Sequence, residues 1–157
     1  MENLEIDLNK ITQLAIEQEE ENREFNSFLK SIQDTRKIDK IVHSLYKQVS
    51  AKIDCTSCGN CCKLMDPVFK AKDIAKLSKS IKDCLIEDKE EDFVFKTSPC
   101  LLLKETKCLQ YLSRPEGCRS YPHLDRKDFI SRLAEVMESY SICPIVFNVY
   151  EGLKAKI

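Results

Sequence analysis

Cys55-Thr56-Ser57-Cys58-Gly59-Asn60-Cys61-Cys62 places four thiols within eight residues, a density that no hydrophobic core requires. A Cys-x2-Cys pair suits a metal ion because the intervening turn brings both sulfurs to one point and aims backbone N–H groups at them, offsetting thiolate charge. Gly59, directly after the second thiol, permits the positive φ or the close approach that such a knuckle needs. Cys61 and Cys62 are adjacent, and neighbouring side chains point in different directions, so they serve either two metals or one compact cluster.

Downstream thiols are placed in a similar way. Cys100 follows Pro99, Cys108 lies past a turn, Cys118 follows Gly117, and Cys143 precedes Pro144 at an expected helix start. Helix N-termini and backbone donors favour the thiolate. Cys84 has no partner at a ligand spacing and reads as a small buried hydrophobe or a spare thiol. Without it, eight Cys remain, enough for two four-thiolate sites.

These stretches carry a resemblance. Cys55-x2-Cys58-Gly59-x-Cys61-Cys62, Pro99-Cys100, Lys107-Cys108-Leu109-Gln110-Tyr111, Arg114-Pro115-x2-Cys118-Arg119-x-Tyr121-Pro122 and Cys143-Pro144 are together similar to the YkgJ-type cysteine cluster family, named for its CxxCxxCC motif. The resemblance runs from about Asp54 to Leu153 and implies chelation of zinc or iron. It implies Cys55, Cys58, Cys61, Cys62, Cys100, Cys108, Cys118 and Cys143 as the ligands.

Three thiols at x2 spacing and a Cys-Pro pair look like ferredoxin ligation, but Cys62 follows Cys61 directly where that motif would leave three residues between. Zinc needs only closely spaced Cys pairs, so the expected cofactor is zinc, with iron or an iron–sulfur cluster as the alternative. Either loading makes the chain more acidic by the same amount. Both ask for nearby cations, and Lys63, Lys104, Lys107, Arg114 and Arg119 are close in sequence, the two arginines reading as donors that support the ligands. The leading function is a metal-binding protein in a structural or interaction role. An iron–sulfur redox or cofactor-handling protein is one alternative, and a metal carrier is another. His43 and His123 read as structural histidines, and nothing in the chain asks for catalysis.

Outward from the knuckle, the chain changes character near residue 54. Met1–Cys58 contains neither Gly nor Pro, while three Gly and five Pro follow. Leu4, Leu8, Ile11, Ala15, Gln18, Asn22, Phe25, Leu29 and Ile32 line one face of an amphipathic helix whose centre is polar. Glu17, Glu19, Glu20, Glu21 and Glu24 read as its solvated face, or as a docking surface for a protein partner. Ile38, Ile41, Val42, Leu45 and Val49 mark a second helix, capped by Asp34 or Thr35, forming an antiparallel pair with the first.

Beyond the knuckle, a helix is expected over Lys72–Asp83, then an acidic loop over Glu87–Asp92. Short strands are expected at Phe93–Phe95, Leu101–Leu103 and Cys108–Leu112, with a turn at Lys104-Glu105-Thr106. Ser113-Arg114-Pro115 reads as a helix start with Ser as cap, and further helices are expected over Lys127–Glu138 and from Cys143-Pro144 onward.

The expected fold class is mainly α with a few short β-strands. It is a small irregular cysteine-ligated metal-binding domain preceded by an amphipathic helical pair. Residues 1–37 form an N-terminal helix outside the resemblance, and 38–157 a cysteine-cluster domain led by the second helix.

Composition narrows the classes. With 157 residues, 43% hydrophobic and 32% charged, the chain has material for one core. A formal net charge of -1 gives no global positive field, so no nucleic-acid partner is expected. Met1-Glu2-Asn3-Leu4-Glu5-Ile6-Asp7 has neither the basic nor the apolar region of a signal peptide, and no apolar run reaches membrane length. No membrane association is expected, and the location reads as cytoplasmic, with thiols reduced or on metal.

Overall fold

The computed structural model describes residues 3–88 and 92–157. The protein is mainly helical, and among the described residues its strands form two small antiparallel pairs. No helix among them is long and apolar enough to cross a membrane. The chain divides into two compact units, one made of the chain up to Asp54 together with Pro122–Ile157, the other of Cys55–Tyr121.

In the first unit, α1 (Leu8–Glu17) begins at Asp7, whose carboxylate accepts from the amides of Asn9 (2.9 Å) and Lys10 (3.2 Å). The amphipathic helix expected over residues 4–32 is broken at Gln18 into α1 and α2 (Glu19–Ser31). The Gln18 side-chain oxygen lies 2.7 Å from the Tyr140 hydroxyl, a tertiary tie that accompanies the kink. Glu19, Glu20 and Glu21 then occupy the first turn of α2, where carboxylates offset the positive helix end.

Helix α3 (Thr35–Ser50) buries Ile38, Val42, Leu45 and Val49, as its spacing predicts. Asp34 stands at its N-cap but makes no capping hydrogen bond, pairing instead with Arg36. The main partner of α3 is not the N-terminal helix but α10 (Pro144–Lys154), which also packs against α1 and α9 (Leu133–Tyr140). Nine of the eleven residues of α10 are buried, so it serves as the axis of this unit.

Polar groups tie the helices together. Asn148 of α10 bonds both the amide (2.9 Å) and the carbonyl (2.7 Å) of Glu5. Asp39 of α3 accepts from the amides of Asp128 (3.0 Å) and Phe129 (2.9 Å). Asp128 is left-handed, with φ 59°, and the helix expected from Lys127 begins instead as a 3-10 turn at Phe129–Arg132 before α9.

The second unit has its own small core of Phe69, Leu77, Phe95, Cys100 and Leu102. Phe69 and Phe95 meet edge to face at 5.1 Å. The helix expected over 72–83 is two single turns, α6 (Ala71–Ile74) and α7 (Lys79–Lys82). Asp73 folds back to accept from the Lys70 amide (3.2 Å), and Ser78 turns extended ahead of α7, while Leu77 still reaches the core. Strand β1 (Leu85–Glu87), missed in the sequence, pairs with β2 (Phe93–Phe95) in the register Leu85↔Phe95. Residues 89–91 of the expected acidic loop lie outside the described residues.

Candidate metal centre

Cys55–Cys58 forms a single helical turn, α4, and Asn60–Leu64 forms α5, with Gly59 between them at φ +61°. The Gly59 amide donates to the Cys55 carbonyl at 3.2 Å, closing the knuckle. A Cβ on Gly59 would meet the carbonyl oxygen of Thr106 at 2.5 Å and its Cα at 2.9 Å. Glycine is therefore required twice, for the left-handed backbone and for contact with another stretch of main chain.

Thr106 lies in the turn of the hairpin β3 (Leu103–Lys104) and β4 (Lys107–Cys108), where Leu103 stands opposite Cys108 and Glu105 is left-handed at φ 58°. The strands are shorter than the expected 101–103 and 108–112. At the root of the hairpin, the Cys100 carbonyl accepts from Leu103 (3.0 Å), and Leu109 donates to Leu102 (2.8 Å). Cys100 and Cys108 thus sit on one rigid device, and the knuckle is laid against its tip.

Cys118 lies on α8 (Glu116–Ser120). Pro115, not Ser113, stands at its N-cap, because Tyr111–Ser113 closes a 3-10 turn of its own. Arg114 is held between these turns. Its guanidinium donates to the Tyr111 carbonyl at 2.6 Å and lies 3.8 Å over the Tyr111 ring. Arg119 donates to the Arg114 carbonyl at 3.2 Å, bracing the same corner.

The thiols feel one another and Arg114. A hydrogen bond with Cys61, helped by the Arg114 charge, brings Cys62 down to about 6 against the effect of burial. Burial, then the neighbouring Cys62, Cys100 and Cys108, push Cys118 up to about 12. Burial likewise raises Cys100, with Cys62 and Cys108 adding to it. Thiols from the knuckle, the hairpin and α8 therefore stand within electrostatic reach of one another. Among the described residues no three His, Cys, Asp or Glu side chains are already gathered into an ion-holding arrangement. In its chemistry the donor set fits zinc or iron, since soft thiolates are what both accept.

All nine cysteines are thiols. Seven of the eight expected ligands, all but Cys143, belong to the Cys55–Tyr121 unit. Cys143, buried at the N-cap of α10, belongs to the other unit. Cys84 packs against the core of the second unit and donates to the Ser80 carbonyl at 3.3 Å. His43 lies 3.2 Å from the Arg126 carbonyl, and His123, left-handed at φ 59°, is held below its usual range by burial and by Arg126 and Arg132.

Two contacts at the site escaped sequence reasoning, although the 104–106 turn and the stretch holding Tyr111 were both singled out there. Thr106 acts through its backbone, and only the glycine after Cys58 hints at a close neighbour. Tyr111 acts as the platform of Arg114, a pairing that spacing alone does not reveal.

Residues 54–144, more than half of the chain, match the CxxCxxCC family model, described as "Putative zinc- or iron-chelating domain". No curated protein and no solved structure matches the chain.

Proposed function

The chain belongs to the CxxCxxCC family, and from that premise we propose that its Cys55–Tyr121 unit is a thiolate metal centre holding zinc in a structural or interaction role. The observation that carries this reading is the seating of the Gly59 knuckle, between Cys58 and Cys61, on the Thr106 turn of the hairpin that carries Cys108. Thiolates crowded in this way repel one another unless a cation sits among them.

The proposed ligands are Cys55, Cys58, Cys61, Cys62, Cys100, Cys108 and Cys118. Cys143 is proposed as the eighth on the matched motif alone. Arg114 offsets thiolate charge, and Arg119 holds Arg114 in place. Bound zinc supplies a closed tetrahedral anchor in place of a large apolar core. A unit whose core is five buried side chains has reason to use one. A reducing, cytoplasmic setting suits nine thiols.

Elemental analysis and the visible spectrum of anaerobically purified protein test the choice of metal. Colourless protein with about two zinc per chain, the number expected from four thiolates per ion, supports it. Brown protein with iron and acid-labile sulfide overturns zinc in favour of an iron–sulfur centre.

A further inference from the structure

We propose that the exposed face of the hairpin β3–β4 is a docking surface for an acidic protein segment, whose carboxylates meet Lys104 and Lys107 and whose apolar side chains cover Leu109 and Leu112. The surface uses none of the thiols, and it goes beyond the metal reading by giving the same unit a kind of partner.

Lys104 stands directly opposite Lys107 in the hairpin register. The Cβ atoms of such a pair lie about 4.5–5.5 Å apart, and like charges there destabilise the ladder. Glu105 sits in the connecting turn, yet among the described residues neither lysine forms an ion pair with it or with any other carboxylate. Successive strand residues face opposite ways. Leu103 and Cys108 are accordingly half-buried and packed against the core of the unit, while both lysines are exposed. The pair therefore points away from the side that carries the Cys108 thiol, and an anion from outside the chain is what would offset it.

An apolar stretch adjoins the pair. The ladder runs on through the hydrogen bond from Leu109 to Leu102, and Leu109, Tyr111 and Leu112 are then exposed in close succession, Leu112 at 95%. Apolar neighbours laid bare together differ from the singly scattered ones that any surface carries. Arg114 lies 3.8 Å over one face of the Tyr111 ring, which holds the ring as a fixed contact and leaves that face closed to a stacking base. Lysines beside leucine, tyrosine and arginine select carboxylates with apolar side chains next to them. With a formal net charge of -1, the whole chain offers an anionic bilayer or a nucleic acid no general attraction, whereas a short acidic segment meets only the lysine pair.

The test is a selection of random peptides displayed on phage against the zinc-loaded full chain, followed by fluorescence anisotropy with the enriched peptides as synthetic probes. The enriched sequences are expected to set acidic beside apolar residues and to bind more weakly as salt is raised. They should lose roughly tenfold or more in affinity for the Lys104→Ser/Lys107→Ser variant, and likewise for Leu109→Ser/Leu112→Ser. Both variants should keep the zinc content of the unaltered chain, because no altered side chain is a proposed ligand. No enrichment, enriched peptides without acidic residues, or equal binding to the lysine variant would overturn the proposal while leaving the metal centre in place. Binding of phosphatidylserine vesicles instead of peptide, or self-association that the lysine variant abolishes, would overturn it in favour of another occupant. Loss of zinc from the lysine variant would assign the pair to the thiolates and overturn it too. A chain that takes up no zinc would defeat the metal reading alone, and the same selection on the chain as purified would still decide the docking face.

Discussion

Replacing Gly59 by Ala probes the contact on which the cysteine unit is built. The added Cβ would stand 2.5 Å from the Thr106 oxygen and 2.9 Å from its Cα, with backbone rather than a movable side chain in its way. At φ +61° any L side chain also costs about 1–2 kcal/mol. Overpacking against main chain adds about 1–3 kcal/mol, for a total of about 2–5 kcal/mol. If that cost falls on the bound state, zinc affinity drops by roughly 30- to 4,000-fold. Competition against a chelator of known affinity measures the drop, and a denaturant melt of the loaded protein measures the stability. Gly117→Ala is the control, since no atom lies within 4 Å of its would-be Cβ and it sits inside α8 beside Cys118. An alanine there is expected to leave binding intact and to stabilise by about 0.5–1 kcal/mol. Thr106→Ala should not rescue Gly59→Ala, because the obstructing atoms are backbone. Wild-type affinity and melting in Gly59→Ala would refute the seating of the knuckle on the hairpin.

Arg114→Gln removes the cation beside Cys62 and Cys118 and should weaken zinc retention about 10- to 100-fold by chelator competition, the range for partners that support ligands. Arg114→Lys should restore only part of this, since a lysine loses the planar stack on Tyr111. Cys84→Ala should leave zinc content and chelator competition unchanged, and a lost equivalent of zinc would place Cys84 among the ligands. Asp39→Ala strips the acceptor from two amides at the start of the Phe129–Arg132 turn and should destabilise the helical unit by about 2–3 kcal/mol in a denaturant melt. An unaltered melt would mean that water replaces the carboxylate at no cost.

The parts of the fold legible in the sequence are those decided by local chemistry. Cys143-Pro144 announces α10 because proline suits the first turn, and Ile145, Val146, Val149 and Leu153 are then buried as their spacing requires. Ile38, Val42, Leu45 and Val49 mark the inner face of α3 in the same way. The kink at Gln18 was not legible, because its partner Tyr140 lies 122 residues away. The two turns in place of a helix over 72–83 follow from Asp73 and Ser78, polar residues that draw backbone groups out of a helical ladder. Leu85–Glu87 is too short to declare itself a strand and forms one only against Phe93–Phe95. For the candidate site, thiol spacing and the family resemblance draw attention to the cysteines. Their arrangement depends on the turn at Thr106 and on the Tyr111 platform, which act through a carbonyl and a ring face that carry no motif.

The most direct measurement is amide hydrogen exchange on the full chain before and after complete metal removal. Structural zinc contributes on the order of 10–16 kcal/mol in small zinc peptides, comparable to or larger than a whole domain's stability of about 5–15 kcal/mol. Metal removal should therefore erase protection across Cys55–Tyr121 while α3 and α10 keep theirs. Unchanged protection in Cys55–Tyr121 after the last metal has gone would contradict a fold held by metal.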